Sequence, residues 1–206
     1  MSITTLCNQS LARIGAKRIN NFDSDKTVEA IECRTHYEQT KDSLIRSHWW
    51  RFATERASLS EDTVSPEFGF DNQFILPTDF ERLKNVYSSG DRWPTYLSYS
   101  IEGDRILTNE SAIDITYIKK VDDTAKFDSL FTEVLILRLA INLTMPLSQD
   151  KRLMQLLMEE LRPLMAQVRT IDRQETNTVG RANRNTWNDS RNVNVATGRI
   201  DSRLGS

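Results

Sequence analysis

The sequence predicts an α+β protein: a helical bundle, a small antiparallel β domain inserted between its second and third helices, and an extended C-terminal arm. Three observations predict it. Between Asp128 and Asn142 nine apolar residues leave only Glu133 and Arg138 to face water, so a helix there must be wrapped on most sides. From Thr54 to Lys120 the apolar period changes from 3.6 to 2. Beyond Arg173 periodicity vanishes, and Asn, Arg, Thr, Ser and Gly dominate.

In chain order, Ile3, Leu6, Cys7, Leu11 and Ile14 recur at helical spacing, and Gly15 stands where a C-terminal glycine would. A polar link from Asn20 to Asp25 leads to a second helix, with Asp25 its expected N-cap and an end near Trp50. Val28 and Ile31 at its start, with Leu44, Ile45 and Trp49 at its end, make its apolar pattern. Glu38, Gln39, Lys41 and Asp42 leave the middle half-exposed. Such a helix lies on a surface or is covered by a partner chain.

Phe70, Phe74 and Leu76 read as a strand stopped by Pro77, and Arg82–Tyr87 as a second. Tyr96–Ile101 and Arg105–Leu107 flank Glu102-Gly103-Asp104, a tight turn whose glycine supplies a positive φ. Ile113, Ile115 and Tyr117 alternate with Asp114, Thr116 and Ile118, the period of a strand.

After the apolar helix, Pro146 is expected to break the chain and Ser148 to cap a fourth helix. Leu153, Leu156, Leu157, Leu161, Leu164, Val168 and Ile171 form its stripe, flanked by Met154, Met158 and Met165 and kinked at Pro163. Such a stripe reads as core. The predicted organisation is therefore residues 1–53 with 121–172 as the bundle, 54–120 as the β insert and 173–206 as the arm.

The totals bound the function. At 206 residues, 38% apolar and 27% charged, the chain can bury a proper core. Net charge is −2, so no global basic field draws it to nucleic acid. Six arginines against three acidic residues give the arm a local +3 and leave the rest near −5. The two cysteines are too few for a disulfide framework and read as reduced thiols. The N-terminus shows no basic stretch followed by an apolar run, so no secretory leader is predicted. The apolar helix reads as too short for a membrane span, which needs about 20 apolar residues.

Catalytic and metal patterns are weak. Cys33-x-x-His36 with His48 is the nearest to a zinc set and would need Cys7 from another helix as the fourth ligand. A Cys–His nucleophile pair lacks an orienting group and an oxyanion hole. The glycines are scattered, forming no phosphate-binding loop. No catalysis, cofactor or metal is predicted. The arm's arginines could meet phosphates, stay solvated, or fold against a protein partner on binding.

Three stretches in order carry a resemblance. The first is Glu29-Ala30, Cys33, Tyr37 and Asp42-Ser43-Leu44-Ile45-Arg46-Ser47-His48-Trp49-Trp50-Arg51-Phe52-Ala53. The second is Phe74-Ile75-Leu76-Pro77-Thr78-Asp79-Phe80-Glu81-Arg82-Leu83. The third is Tyr117-Ile118-Lys119-Lys120-Val121-Asp122-Asp123, running into Phe127-Asp128-Ser129-Leu130-Phe131 and Leu139-Ala140. Together they resemble the head-to-tail adaptor proteins of short-tailed bacteriophages (tail tubular protein A), over roughly residues 3–172. The family pattern is a helix ending in a His-(Pro)-Trp-x-Phe-Ala corner, a sheet opened by a Leu-Pro-x-Asp strand end, and a closing apolar helix. Trp49 stands where proline is common.

The resemblance implies a virion protein made in the host cytoplasm. About a dozen identical subunits would form a ring at the portal vertex, with the portal protein above, the tail nozzle protein below and DNA passing non-specifically through the lumen. Tail fibres are a further neighbour it allows. It gives Arg181, Arg184, Trp187, Arg191, Val193, Val195 and Arg199 the role of a portal-binding arm. It makes His48, Trp49, Trp50 and Phe52 the hinge core between helices and sheet. Without the resemblance, the same features describe another virion component or a helical interaction protein with a partner-binding arm.

Overall fold

The computed structural model describes residues 1–91 and 97–175, with side chains through residue 171. Met1–Val168 form one compact unit, and the chain from Arg169 on is separate from it. Four helices, α1 (Ile3–Arg13), α2 (Val28–Ser47), α3 (Ser129–Leu147) and α4 (Lys151–Glu175), enclose six strands in sequence: β1 (Thr54–Ser58), β2 (Asn72–Ile75), β3 (Phe80–Ser88), β4 (Tyr99–Glu102), β5 (Arg105–Thr108) and β6 (Ile113–Lys119). The fold is mixed α+β, with the strands between α2 and α3.

Capping explains the helix boundaries. The Ser2 side chain accepts from the Thr5 amide, and Gly15 closes α1 at φ +71°. Thr27, not Asp25, caps α2 by accepting from the Ala30 amide. Asp25 is spent on the link itself, accepting from the Asn20 and Thr27 amides. Asn8 clamps the same link by exchanging two hydrogen bonds with the Ile19 backbone, 2.8 and 2.9 Å.

Pro146 does not break α3, which runs through it to Leu147. The helix stops where the Ser148 and Gln149 amides both bond the Thr144 carbonyl and Gln149 takes φ +54°. Asp150, not Ser148, then caps α4, accepting from the Arg152 and Leu153 amides at 2.9 and 3.0 Å. At 19 residues, α3 is long and apolar enough to cross a membrane, so the length argument against a span fails. In this fold Phe131, Val134, Leu135, Leu139, Ala140 and Leu143 are fully buried against α1, α2 and the seam with the sheets.

The insert is two three-stranded antiparallel sheets, β1-β6-β3 and β2-β5-β4, instead of one. Phe74, Leu76, Val86, Ile106, Ile113, Ile115 and Tyr117 form their shared core. β6 is buried on both faces. Thr116 is 5% and Ile118 0% exposed, and Ile118 belongs to the helical core while Ile115 and Tyr117 belong to the β core. One strand thus joins both cores, because its alternate side chains point to opposite sides.

The second helix departs from expectation at its start and middle, while at its end Leu44 and Ile45 are buried as expected. Val28 and Ile31 are 62% and 47% exposed, whereas Ala30, Cys33, Tyr37, Thr40 and Lys41 are buried. On α4, Leu157 and Val168 are core, but Leu156 and Met158 face solvent, so the stripe is only partly covered.

Candidate functional site at the seam between helices and sheets

The chain leaves α2 at His48, whose backbone is extended (φ −140°, ψ 161°). Trp50 then folds back, and its indole N–H donates to the Leu44 carbonyl at 2.9 Å, satisfying one of the carbonyls a helix end leaves open. Its ring meets the edge of Phe131 at 4.9 Å and lies 6.1 Å from Phe52. Phe52 and Phe127 both meet Phe131 as well, at 4.9 and 4.8 Å. His48 is nearly buried, edge-on to Trp50 at 5.0 Å. Trp49, half-buried, also packs on the helical core, and the Arg82 guanidinium sits 4.0 Å over its ring. Of the four predicted hinge residues, then, three share one aromatic cluster and Trp49 lies under Arg82 of β3.

The second and third motif stretches meet the first here. The Lys120 amide donates to the Asp79 carbonyl at 2.7 Å, and the Tyr117 hydroxyl donates to the Asp79 carboxylate at 3.0 Å. Arg46 donates to the Glu81 carbonyl, and Arg82 to the Arg46 carbonyl. Burial, then the Asp79 bond, pushes the Tyr117 hydroxyl up to about 12. Burial and the nearby Asp42 charge raise the Glu81 carboxyl.

Beside this contact lies a buried cation that the sequence reading left half-exposed. Lys41 is 1% exposed, with its ammonium 2.5 Å from Asp122, 2.6 Å from Glu38 and 3.6 Å from Asp42. Burial pulls its pKa down, but the bonds to Asp122 and Glu38 outweigh that and raise it. The same contact holds the Asp122 carboxyl below its usual range. Lys120 adds a fourth link, 3.3 Å to Asp42. The pairing ties α2 to the segment that leaves β6. The faint signal for it was Glu38-x-x-Lys41, an i,i+3 pair; Asp122 is distant in sequence and could not be matched to it.

The zinc set is not assembled. Cys7 and Cys33 are both fully buried and adjacent, while His36 pairs with Glu32 at 3.5 Å and His48 packs on Trp50. Each thiol titrates against the other: the bond to Cys33 and burial raise Cys7, while the bond to Cys7 lowers Cys33. Among the described residues, the group with metal-ligand spacing is Glu38, Asp42 and Asp122, whose oxygens lie within 4.8 Å of one another. The Lys41 ammonium already sits against all three carboxylates, and with Lys120 it offsets two of their three charges. A groove of about 730 Å³ lies elsewhere, between α1 and α3, lined by Met1, Ala12, Arg13, Phe127, Glu133 and Ile136 among others.

The predicted arm contacts Arg181, Arg184, Trp187, Arg191, Val193, Val195 and Arg199 lie outside the described residues, as does Tyr96 at the expected strand start. No family model matches this chain, and no curated protein matches it.

Proposed function

We propose that this protein is a head-to-tail adaptor of a short-tailed bacteriophage, a ring subunit joining the portal to the tail nozzle and lining part of the DNA ejection channel. One observation carries the reading. The three stretches that bear the resemblance lie far apart in sequence yet meet at a single seam, through Trp49–Arg82, Asp79–Lys120 and Lys41–Asp122. A seam built from all three is what a shared architecture requires, since each stretch is then constrained by the others. The exposed Val28 and Ile31 on α2 and Leu156 and Met158 on α4 supply apolar surface for lateral neighbours. The acidic body suits a channel through which DNA slides without sticking.

The test is the mass of the purified protein, alone and with portal protein. A ring appearing on the portal is the expected result. A monomer that never enters a ring in the presence of portal overturns the proposal. Removing the residues after Arg173 should leave a folded subunit that no longer attaches to the portal.

A further inference from the structure

One face of the β1-β6-β3 sheet changes character along its length. Register sets Ala57 and Val86 on either side of Ile115, and all three turn into the β core. Their neighbours along each strand point to the opposite face. At one end of that face Ile118 is covered by the helical core. Farther along β6 the same face carries Thr116 and Asp114. Arg56 lies opposite Thr116, while Ser58 and Tyr87 flank Asp114 from β1 and β3. A cavity of about 380 Å³ opens among these side chains, with Asp91 also lining it.

The polar groups there are unevenly matched. Thr116 is 5% exposed, and its hydroxyl lies 3.4 Å from the Tyr87 hydroxyl. Asp114 Oδ1 is buried with no hydrogen-bond partner. Buried polar atoms ordinarily have one, and a carboxylate oxygen shut off from water without a donor is costly. Arg56 lines the same cavity, exposed and, among the described residues, without an ion pair. Arg56 and Asp114 are diagonal neighbours on adjacent strands, a spacing of about 7–8 Å. Opposite charges thus share one cavity without pairing to each other.

The lining narrows what fits. The cavity is at the small end of ligand sites, which run from about 300 to 1,000 Å³. Ala57 and Ile115 commit their side chains to the other face, so no apolar floor suits a lipid. A bare anion meets the carboxylates of Asp114 and Asp91, and a bare cation meets Arg56. A molecule carrying both charges matches both sides. We propose that the cavity binds a free α-amino acid with a small side chain, its ammonium donating to Asp114 and its carboxylate held by Arg56. An ammonium has three donors, enough for Asp114 Oδ1 and the hydroxyls of Thr116 and Tyr87. The guanidinium fork matches the two oxygens of a carboxylate. Charge-assisted bonds at both ends favour this ligand over a neutral polyol, whose hydroxyls make a weaker kind. The inference goes beyond the adaptor reading and does not depend on it.

The test titrates the full-length protein with L-alanine and follows the backbone amide signals of Arg56, Asp114 and Thr116 by NMR. A saturable shift is expected. Alanine methyl ester lacks the carboxylate and N-acetylalanine lacks the ammonium, so each should bind at least about tenfold more weakly; glucose should not bind. Asp114→Asn and Arg56→Gln should each lower the affinity for alanine by about tenfold. No saturable shift at any concentration that alanine's solubility allows overturns the proposal. Equal binding of the ester, the acetylated form or glucose does the same, as does full affinity in both variants. Coupled losses of stability in the two variants, with no alanine bound by wild type, would assign Arg56 and Asp114 to each other and overturn it too. If either variant fails to fold, the ligand series on the wild-type protein decides alone.

Discussion

Trp50→Ala is the sharpest probe of the seam. Trp50 is 3% exposed and touches Phe131, Phe52 and His48 by its ring. Large-to-small substitution of a buried Trp costs about 3–5 kcal/mol. Loss of the indole bond to the Leu44 carbonyl adds at most about 1 kcal/mol, because the Ser47 hydroxyl still donates to that carbonyl at 2.8 Å. The expected loss is therefore about 3–6 kcal/mol, a large share of the ~5–15 kcal/mol that holds a domain folded. Trp50→Phe keeps the edge contact with Phe131 and loses the N–H and part of the volume, so about 1–3 kcal/mol is expected. Urea unfolding followed by far-ultraviolet circular dichroism measures both at subunit concentrations too low for assembly. A Trp50→Ala curve within about 1 kcal/mol of wild type would refute the reasoning, since nothing so buried and so connected can be removed at that cost.

Other expectations follow from the same contacts. Lys41→Ala should cost about 1–3 kcal/mol, less than the 3–5 typical of a broken buried pair, because Asp122 and Glu38 are 71% and 57% exposed and can rehydrate; Lys41→Met, which refills the stem's volume, should cost less, and equal losses in unfolding experiments would contradict this. The lowered Asp122 carboxyl contributes stability that is present above about pH 4 and lost as pH falls through its depressed folded value, so Lys41→Met should flatten the acid limb of stability against pH. At the alkaline end, Tyr117 is raised to about 12, so its contribution is complete below about pH 10 and lost as pH rises through 12; Tyr117→Phe should remove that part of the alkaline loss, read from tyrosinate absorbance and unfolding midpoints. Gly103 holds φ +61° with open space where a Cβ would sit, so Gly103→Ala should cost about 1–2 kcal/mol through backbone strain alone, and Gly103→Asn less; identical midpoints for all three would count against the turn.

What the sequence determined is what local chemistry and period can encode. The greasy run at 128–142 required burial on most sides, and α3 has it. Gly15 and Gly103 marked a helix end and a turn because only a residue without Cβ takes those φ values cheaply. The switch to a period of 2 marked the insert. Single caps were less legible: Asp25 and Ser148 have the right chemistry, but Thr27 and Asp150 stand at the first turns, and a polar side chain does not announce which amide it will meet.

Tertiary structure alone decided the rest, because it depends on which distant residues meet. Val28 and Ile31 were chosen for the covered face by hydrophobicity, yet the core took Cys33, Tyr37 and Lys41. Lys41 can be buried only because Asp122, on another segment, comes within 2.5 Å of it. Both faces of β6 are covered because two cores close on one strand. Period reports the direction in which a side chain points; only the assembled chain settles what waits there, and for a charged group that neighbour is the difference between a surface and an interior.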